Sequence, residues 1–145
     1  MLKSRIKTGL YPLNESTKFR RDIKPGHRIF FYLGASNRKK SGYDNFHERG
    51  KSIAGEAVVE EKINEFRVSR EDKENVHADL LYVSEFLKLQ QVQLYSDAIP
   101  FEKLACDLSF TRRSADWRAC LMGGAKKIDK DDILLIQKNA KYQQP

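Results

Sequence analysis

The stretch Leu87-Lys88-Leu89-Gln90-Gln91-Val92-Gln93-Leu94 decides the fold that this sequence predicts. Apolar residues alternate with polar ones on either side of Gln90-Gln91, but the alternation shifts by one position there. Strict alternation is typical of a half-buried strand, and a change of parity within one strand is typical of a β-bulge. Because bulges bend strands around the corners of barrels, this stretch predicts a strand of a strongly curved sheet.

Two further strands are predicted upstream. Residues 28–33 are a β-branched and aromatic run that follows a turn signal at Lys24-Pro25-Gly26. Residues 53–60 are the second strand, in which Gly55 predicts a bulge or a close approach of another backbone. The intervening residues 34–52 are rich in Gly, Ser, Asn and Lys. The two strands therefore predict an antiparallel hairpin with a long loop.

The segments around these strands are less regular. Residues 1–27 are basic and predict irregular structure, with residues 11–17 as a loop that contains Pro12. Residues 63–68 predict a third strand. Ser69 is placed to open a helix, although the pattern over residues 69–83 fits several structures.

The last third of the chain predicts two short helices. Pro100 is suited to start a helix that reaches about Asp107. Asp129 is a candidate N-cap for a final helix with Asp132 in its first turn. The apolar residues that this helix would turn towards the core are Ile133, Leu135 and Ile136. Together the elements predict one α+β, mainly β, domain over residues 1–145.

The composition is that of a globular intracellular protein. The chain has 145 residues, of which 40% are hydrophobic and 32% charged, and its net charge is +7. The N-terminus has no apolar core of a signal peptide, and no run of residues approaches the length of a membrane span. We therefore expect a soluble, cytoplasmic protein that does not bind membranes, and the positive charge favours a polyanionic partner.

The charge is distributed unevenly along the chain. Residues 18–28, 37–51 and 111–127 are net positive, whereas residues 56–75 carry seven acids against four bases. We expect one face of the molecule to be basic and the opposite face to be acidic.

Trp117, the single tryptophan, lies in the last of the basic segments. Five cationic side chains and one acid, Asp116, accompany it between residues 111 and 127, and Gly123-Gly124 follows. An aromatic ring among cations can stack on a nucleobase while the cations hold phosphates. The alternative is a core tryptophan that caps one end of the barrel, with solvated charges around it.

Several kinds of catalytic and cofactor site are missing from the sequence. Neither GxxxxGK[ST] nor GxGxxG occurs, so the phosphate-binding loops of nucleotide hydrolases and dinucleotide-binding proteins are absent. The three histidines are isolated from one another, and the two cysteines have no evident partner base, so we expect a reduced structural pair. The sequence therefore predicts no cofactor, no metal and no catalytic residue.

The order of these segments resembles the EVE domain family of the PUA-like superfamily. Residues 23–32 are similar to the KxGDxxxFY strand of EVE domains, and residues 53–57 to the IxGxxEV strand that follows it. Residues 101–110, with Trp117, Gly123 and Ile128, resemble the closing half of archaeal EVE-like proteins. The resemblance covers residues 10–138.

This resemblance implies a PUA-like curved mixed β-barrel with short helices at the barrel openings. It also implies nucleic-acid binding, with a pocket for a single, often modified, base as in EVE domains and related YTH modules. Two features depart from the family. His27 stands where the family has an acidic residue, and only about ten residues precede Tyr11, where family members begin with a tryptophan-containing strand.

The main prediction is therefore a non-enzymatic module that binds RNA or DNA and recognises a single base, modified or unmodified, in a pocket. The predicted base-pocket residues are Tyr11, Asn14, Ser16, Thr17, Phe110 and Trp117. The predicted phosphate-binding residues are Arg20, Arg21, Arg112, Arg113, Arg118 and Lys126. One alternative is a hydrolase or ribonuclease similar to ASCH modules, with Asp116 and Lys126 at its site. Another is a regulatory protein-interaction module that retains the fold without the pocket.

Overall fold

A computed structural model describes residues 2–17, 19–33, 52–109, 111 and 127–142 of the chain. The strands are β1 (Leu10–Asn14), β2 (Arg28–Leu33), β3 (Ser52–Asn64) and β4 (Val83–Pro100). The α-helices are α1 (Leu2–Thr8), α2 (Arg70–Asn75) and α3 (Lys130–Asn139). Short 3-10 helices span Arg20–Asp22, Glu65–Arg67 and Phe101–Lys103.

The described strands form one sheet in the order β1-β4-β3-β2, which curls into a half-barrel. The prediction of a mainly β fold is confirmed, and the three predicted strands at residues 28–33, 53–60 and 87–95 all lie in this sheet. Every pairing among the described strands is antiparallel, so this part of the sheet is not mixed. Long, directly paired β3 and β4 form its centre.

The bulge predicted from the parity change in β4 is present. Glu56 pairs with Gln93 and Val58 pairs with Gln90, so two residues of β4 oppose a single residue of β3. Gln91 has a φ of 51°, in the left-handed region that a bulge can require. The sheet bends at this point because the extra residue increases the local twist.

Gly55 marks a close approach between β3 and β4, as the sequence predicted. A Cβ atom at this position would lie 2.6 Å from the carbonyl oxygen of Gln93, which is a steric clash. Glycine fits here because it has no Cβ atom. The register also shifts here, since Ile53 pairs with Ile99 while Gly55 pairs with Leu94. The additional residues of β4 carry Tyr95 into the interior, where its side chain is fully buried.

The N-terminal region is more regular than the sequence predicted. Residues 2–8 form α1, which ends at Gly9 in the left-handed conformation that is common after helices. Residues 10–14 form the edge strand β1 instead of a loop. Pro12 has no backbone N–H to donate. It is compatible with this strand because an edge strand has a neighbouring strand on one side only. Both elements depend on packing against β4, which local sequence does not reveal.

Two other predictions of secondary structure need correction. The predicted third strand at residues 63–68 is the end of β3 followed by the 3-10 helix Glu65–Arg67. Pro100 is the last residue of β4, and the predicted helix after it is the 3-10 helix Phe101–Lys103 followed by hydrogen-bonded turns. The proline therefore ends a strand where the sequence suggested a helix start.

The predicted helix caps are confirmed. The hydroxyl of Ser69 accepts a hydrogen bond from the backbone N–H of Asp72 at 3.1 Å and caps α2. The carboxylate of Asp129 accepts one from the N–H of Asp132 at 2.8 Å and caps α3. Among the apolar residues predicted to face the core from α3, Ile136 is buried, Leu135 packs against the same cluster, and Ile133 is half-buried.

The interior is divided into three apolar clusters. The first includes residues of α1 and all four strands, among them Leu2, Phe31, Val59 and Leu87. The second joins β4 and the turns after it to α3, and the third lies beneath α2. The sheet is thus packed through apolar side chains against α1, against α3 with the turns after β4, and against the residues that flank α2.

Candidate nucleic-acid interface

Tyr11, a predicted base-pocket residue, lies on β1 with its ring already in contact with two side chains. Its ring stacks on that of Phe31 with centroids 6.0 Å apart and an interplanar angle of 27°. The guanidinium of Arg5 lies 4.9 Å from the centroid of the same ring. Tyr11 is half-buried and packs against the first cluster. Its ring therefore contributes to the packing of α1 on the sheet.

The predicted pocket residues Asn14, Ser16 and Thr17 lie in the turn that follows β1. The backbone N–H of Asn14 donates to the hydroxyl of Thr17 at 3.2 Å, and the N–H of Thr17 donates to the carbonyl of Asn14 at 3.1 Å. Ser16 is exposed at the tip of the turn. The hydroxyl of Thr17 is therefore used within the turn.

Arg20 and Arg21, predicted phosphate contacts, lie in the 3-10 helix Arg20–Asp22 and differ in environment. Arg20 donates from Nη1 to the hydroxyl of Ser84 at 2.5 Å, and its Nε is buried without a partner. Arg21 is exposed. Arg20 thus anchors the 3-10 helix to β4, whereas Arg21 is accessible to a phosphate.

Lys127, the last residue of the basic segment at residues 111–127, contacts this 3-10 helix. The ammonium of Lys127 lies 3.1 Å from the carboxylate of Asp22 and 5.0 Å from the centroid of the Phe19 ring. Lys127 directly follows residues 112–126. The structure therefore brings the end of that basic segment beside Arg21.

The remaining predicted site residues lie outside the described part of the chain. They are Phe110, Arg112, Arg113, Asp116, Trp117, Arg118 and Lys126. Their roles stay predictions from the sequence.

The excess of positive over negative charge lies in residues 34–51 and 112–126, which we call the first and second basic segments, and in Lys18. The described residues carry 17 Lys and Arg against 17 Asp and Glu, whereas the rest of the chain carries ten bases and three acids. The latter are Lys18 and the charged residues of segments 34–51 and 112–126. The described residues therefore have no net charge, and the net charge of +7 comes entirely from the two basic segments and Lys18.

The first basic segment joins β2 to β3 at one end of the sheet. Residues 34–51 join Leu33 to Ser52, which pair directly with each other, and Ser52 also pairs with Pro100. The turns after Pro100 lead to Thr111, whose buried hydroxyl donates to the carbonyl of Ala105 at 2.7 Å. The hydroxyl of Ser52 is fully buried and has no hydrogen-bond partner. Residues 34–51 therefore start and end at one end of the sheet, beside a buried serine hydroxyl that has no hydrogen-bond partner among the described residues.

A buried carboxylate network, which the sequence did not indicate, lies in the centre of the sheet. Glu56 of β3 is 2% exposed and accepts four hydrogen bonds from four parts of the chain. Its Oε1 accepts from Arg28 Nη1 at 2.9 Å and from Gln137 Nε2 at 3.2 Å. Its Oε2 accepts from the hydroxyls of Tyr95 at 2.7 Å and Tyr142 at 3.3 Å.

This network ties α3 and the C-terminal segment to the sheet. Tyr142 forms an isolated antiparallel bridge with Tyr95, and their rings meet edge to face with centroids 5.5 Å apart. Burial, the hydrogen bond to Glu56 and its negative charge raise the pKa of the Tyr95 hydroxyl, and burial with the same charge raises the pKa of Tyr142. Both hydroxyls therefore stay protonated and act as donors at neutral and mildly alkaline pH.

The four donors occupy both oxygens of Glu56, so this carboxylate has no acceptor capacity left for a substrate proton. We interpret Glu56 as a structural residue. The signal available in the sequence was an acid inside the apolar run of residues 53–59. Its partners lie at separations of 28 to 86 residues, which a local pattern does not reveal.

The described part of the chain has no candidate site for a metal ion and no candidate membrane span. No group of three or more His, Cys, Asp or Glu residues is placed there to hold a metal ion. No described helix has the length and apolar character needed to cross a membrane. Cys106 is free and exposed.

No profile of a known protein family matches this chain, and no curated protein matches it either.

Proposed function

We propose that this protein is a PUA-like, EVE-related module that binds RNA or DNA through the two basic segments, residues 34–51 and 112–126. The observation that carries the proposal is the distribution of charge. The described residues have no net charge. The two basic segments, together with Lys18, carry all of the excess positive charge. Lys and Arg that neutralise phosphates release condensed counterions, which is the main source of affinity for nucleic acids.

The scaffold supports this role by fixing where the two segments begin. Leu33, Ser52 and Pro100 are neighbours in the sheet, and the turns after Pro100 lead to Thr111, whose hydroxyl is buried. The second segment ends at Lys127, beside the exposed Arg21. A nucleic acid bound between these points would meet cations from three separate parts of the chain.

We assign the base-stacking role in this proposal to Trp117 and not to Tyr11. The ring of Tyr11 already contacts Phe31 and Arg5, whereas Trp117 lies within the segment that carries four of the predicted phosphate contacts. Stacking of a base on an aromatic side chain contributes about 1–3 kcal/mol. The phosphate contacts would supply the rest of the affinity.

Replacement of Trp117 by alanine is the test of this assignment. We expect Trp117→Ala to weaken binding of a single-stranded RNA or DNA oligonucleotide by about 5- to 150-fold, the loss of one stacking contact. The same variant should bind an oligonucleotide that lacks the stacked base as the wild type does. Fluorescence anisotropy measures both affinities, and thermal melting measures stability in parallel.

Tyr82→Ala is the matched control, since Tyr82 is an exposed aromatic residue outside the basic segments. We expect it to leave nucleic-acid affinity unchanged. Truncation of a core aromatic residue typically lowers the free energy of unfolding by about 3–5 kcal/mol. If Trp117→Ala has a much lower melting temperature than the wild type, consistent with such a loss, Trp117 is a core residue and the stacking role is wrong.

The hydrolase alternative gains no support from the described residues. A metal-free ribonuclease needs a free general base beside its substrate, and Glu56, the most buried described glutamate, has both oxygens occupied. A turnover assay on RNA with the wild-type protein separates hydrolysis from binding.

A further inference from the structure

Four large apolar side chains are exposed in the connection between β3 and β4. Phe66 is 86% exposed, Leu81 83%, Tyr82 58% and Leu80 46%. Single exposed apolar residues are common on protein surfaces, but several together mark a contact site. We call these four residues the apolar patch.

The members of the apolar patch lie at one end of the sheet. Asn64 and Glu85 pair at the ends of β3 and β4, Phe66 follows Asn64 by two residues, and Tyr82 precedes Glu85 by three. Their neighbours Val68 and Val83 pack together in the third cluster beneath α2. The backbone beneath the patch is therefore held by a buried core, and only the side chains face solvent.

The apolar patch lies in the acidic part of the protein. Residues 60–85 carry eight acids and four bases. Each of these bases is ion-paired with an acid of the same region, at N–O distances of 3.2 to 3.5 Å. Glu65 and Asp79 directly precede two members of the patch in sequence, and the N–H of Glu15 donates to the carbonyl of Tyr82 at 3.0 Å. Arg67, which directly follows Phe66, is one of these paired bases, and Arg20 donates a hydrogen bond to Ser84.

We propose that the apolar patch is a docking surface for a partner protein whose binding segment presents large apolar side chains flanked by Lys and Arg. The excess of carboxylates repels nucleic-acid phosphates and would equally repel the same surface of a second copy. The surface has exposed apolar side chains and an excess of carboxylates. A cationic segment with apolar anchors matches both, because its apolar side chains would pack against the patch and its Lys and Arg would be attracted by the carboxylates. The proposal rests on described residues that are not part of the basic segments, and it does not depend on the proposed function.

A pair of synthetic amphipathic peptides tests the proposal. One carries Leu and Phe flanked by Lys, and the other carries Glu in place of every Lys. We expect the wild-type protein to bind the Lys peptide at least tenfold more tightly than the Glu peptide, by fluorescence anisotropy. The double variant Phe66→Ser with Leu81→Ser should bind the Lys peptide at least tenfold more weakly than the wild type.

The control variant is Leu134→Ser, which removes an exposed leucine of α3 outside the patch and should bind as the wild type does. The proposal is overturned if the wild type does not bind the Lys peptide, or if the double variant binds it with unchanged affinity. It is also overturned if sedimentation shows that the wild type self-associates and the double variant is monomeric, because the occupant is then a second copy. Nucleic-acid affinity should be equal in all three proteins, which separates this test from that of the proposed function.

Discussion

Glu56→Ala is expected to destabilise the fold by about 3–5 kcal/mol, the range measured when one partner of a buried ion pair is removed. The substitution removes the carboxylate that accepts hydrogen bonds from the half-buried guanidinium of Arg28 and the buried hydroxyl of Tyr95. It also frees Gln137 and Tyr142, so α3 and the C-terminal segment lose their polar contacts with β3. Chemical denaturation of wild type and variant measures the difference in the free energy of unfolding.

Glu60→Ala is the matched control because Glu60 lies on the same strand but is exposed, with its carboxylate 3.8 Å from Lys88. Exposed ion pairs contribute about 0–1 kcal/mol, so this variant should be close to the wild type in stability. A loss at Glu56 that is no larger than the loss at Glu60 would show that the buried network does not hold the C-terminal elements to the sheet.

Removal of three cations from the second basic segment is expected to have the largest effect on nucleic-acid binding. We expect the triple variant Arg112→Ala, Arg113→Ala and Arg118→Ala to lose roughly 100-fold in affinity, at about 1 kcal/mol per phosphate contact. The slope of log affinity against log salt should also become shallower by about 2, at 0.7 per contact with a single strand.

The control for this variant removes the same charge elsewhere. Arg67, Arg70 and Lys88 are exposed and ion-paired with acids of the described scaffold. Their simultaneous replacement by alanine should change nucleic-acid affinity only slightly, although the net charge falls equally. Equal losses in the two triple variants would mean that overall charge, and not the segment at residues 112–126, determines binding.

The sheet was predictable where a local pattern has a direct structural cause. The parity change at Gln90-Gln91 predicted the bulge because alternation reports which face each side chain occupies. Gly55 predicted the close approach of two backbones because a Cβ atom would collide with Gln93. Ser69 and Asp129 predicted helix starts because their side chains accept hydrogen bonds from the first turn.

The elements that sequence reasoning missed are stabilised by distant contacts. Strand β1 contains Pro12 and follows a seven-residue helix, and neither has a strong local signal. Both form because β4 supplies a pairing edge and the first cluster supplies an apolar surface. In the same way, Glu56 is an ordinary acid in the sequence until the fold places Tyr95, Gln137 and Tyr142 around it.

The sequence names candidate site residues but does not show their surroundings. Tyr11 is predicted as a pocket residue because it can replace the second aromatic residue of the EVE family, and in the structure its ring packs on Phe31. Arg20 and Arg21 are adjacent in sequence, and the fold turns one inward and leaves the other exposed. Such differences depend on which neighbours the chain brings together.

The salt dependence of binding by the wild-type protein tests the central claim most directly. A single-stranded RNA of roughly 20 nucleotides is titrated by fluorescence anisotropy between about 50 and 200 mM salt. Three or more phosphate contacts predict a slope of about −2 or steeper, which weakens affinity by at least about 15-fold over that range. No binding at the lowest salt, or an affinity that stays constant across the series, would contradict the proposal that this protein binds nucleic acid through its two basic segments.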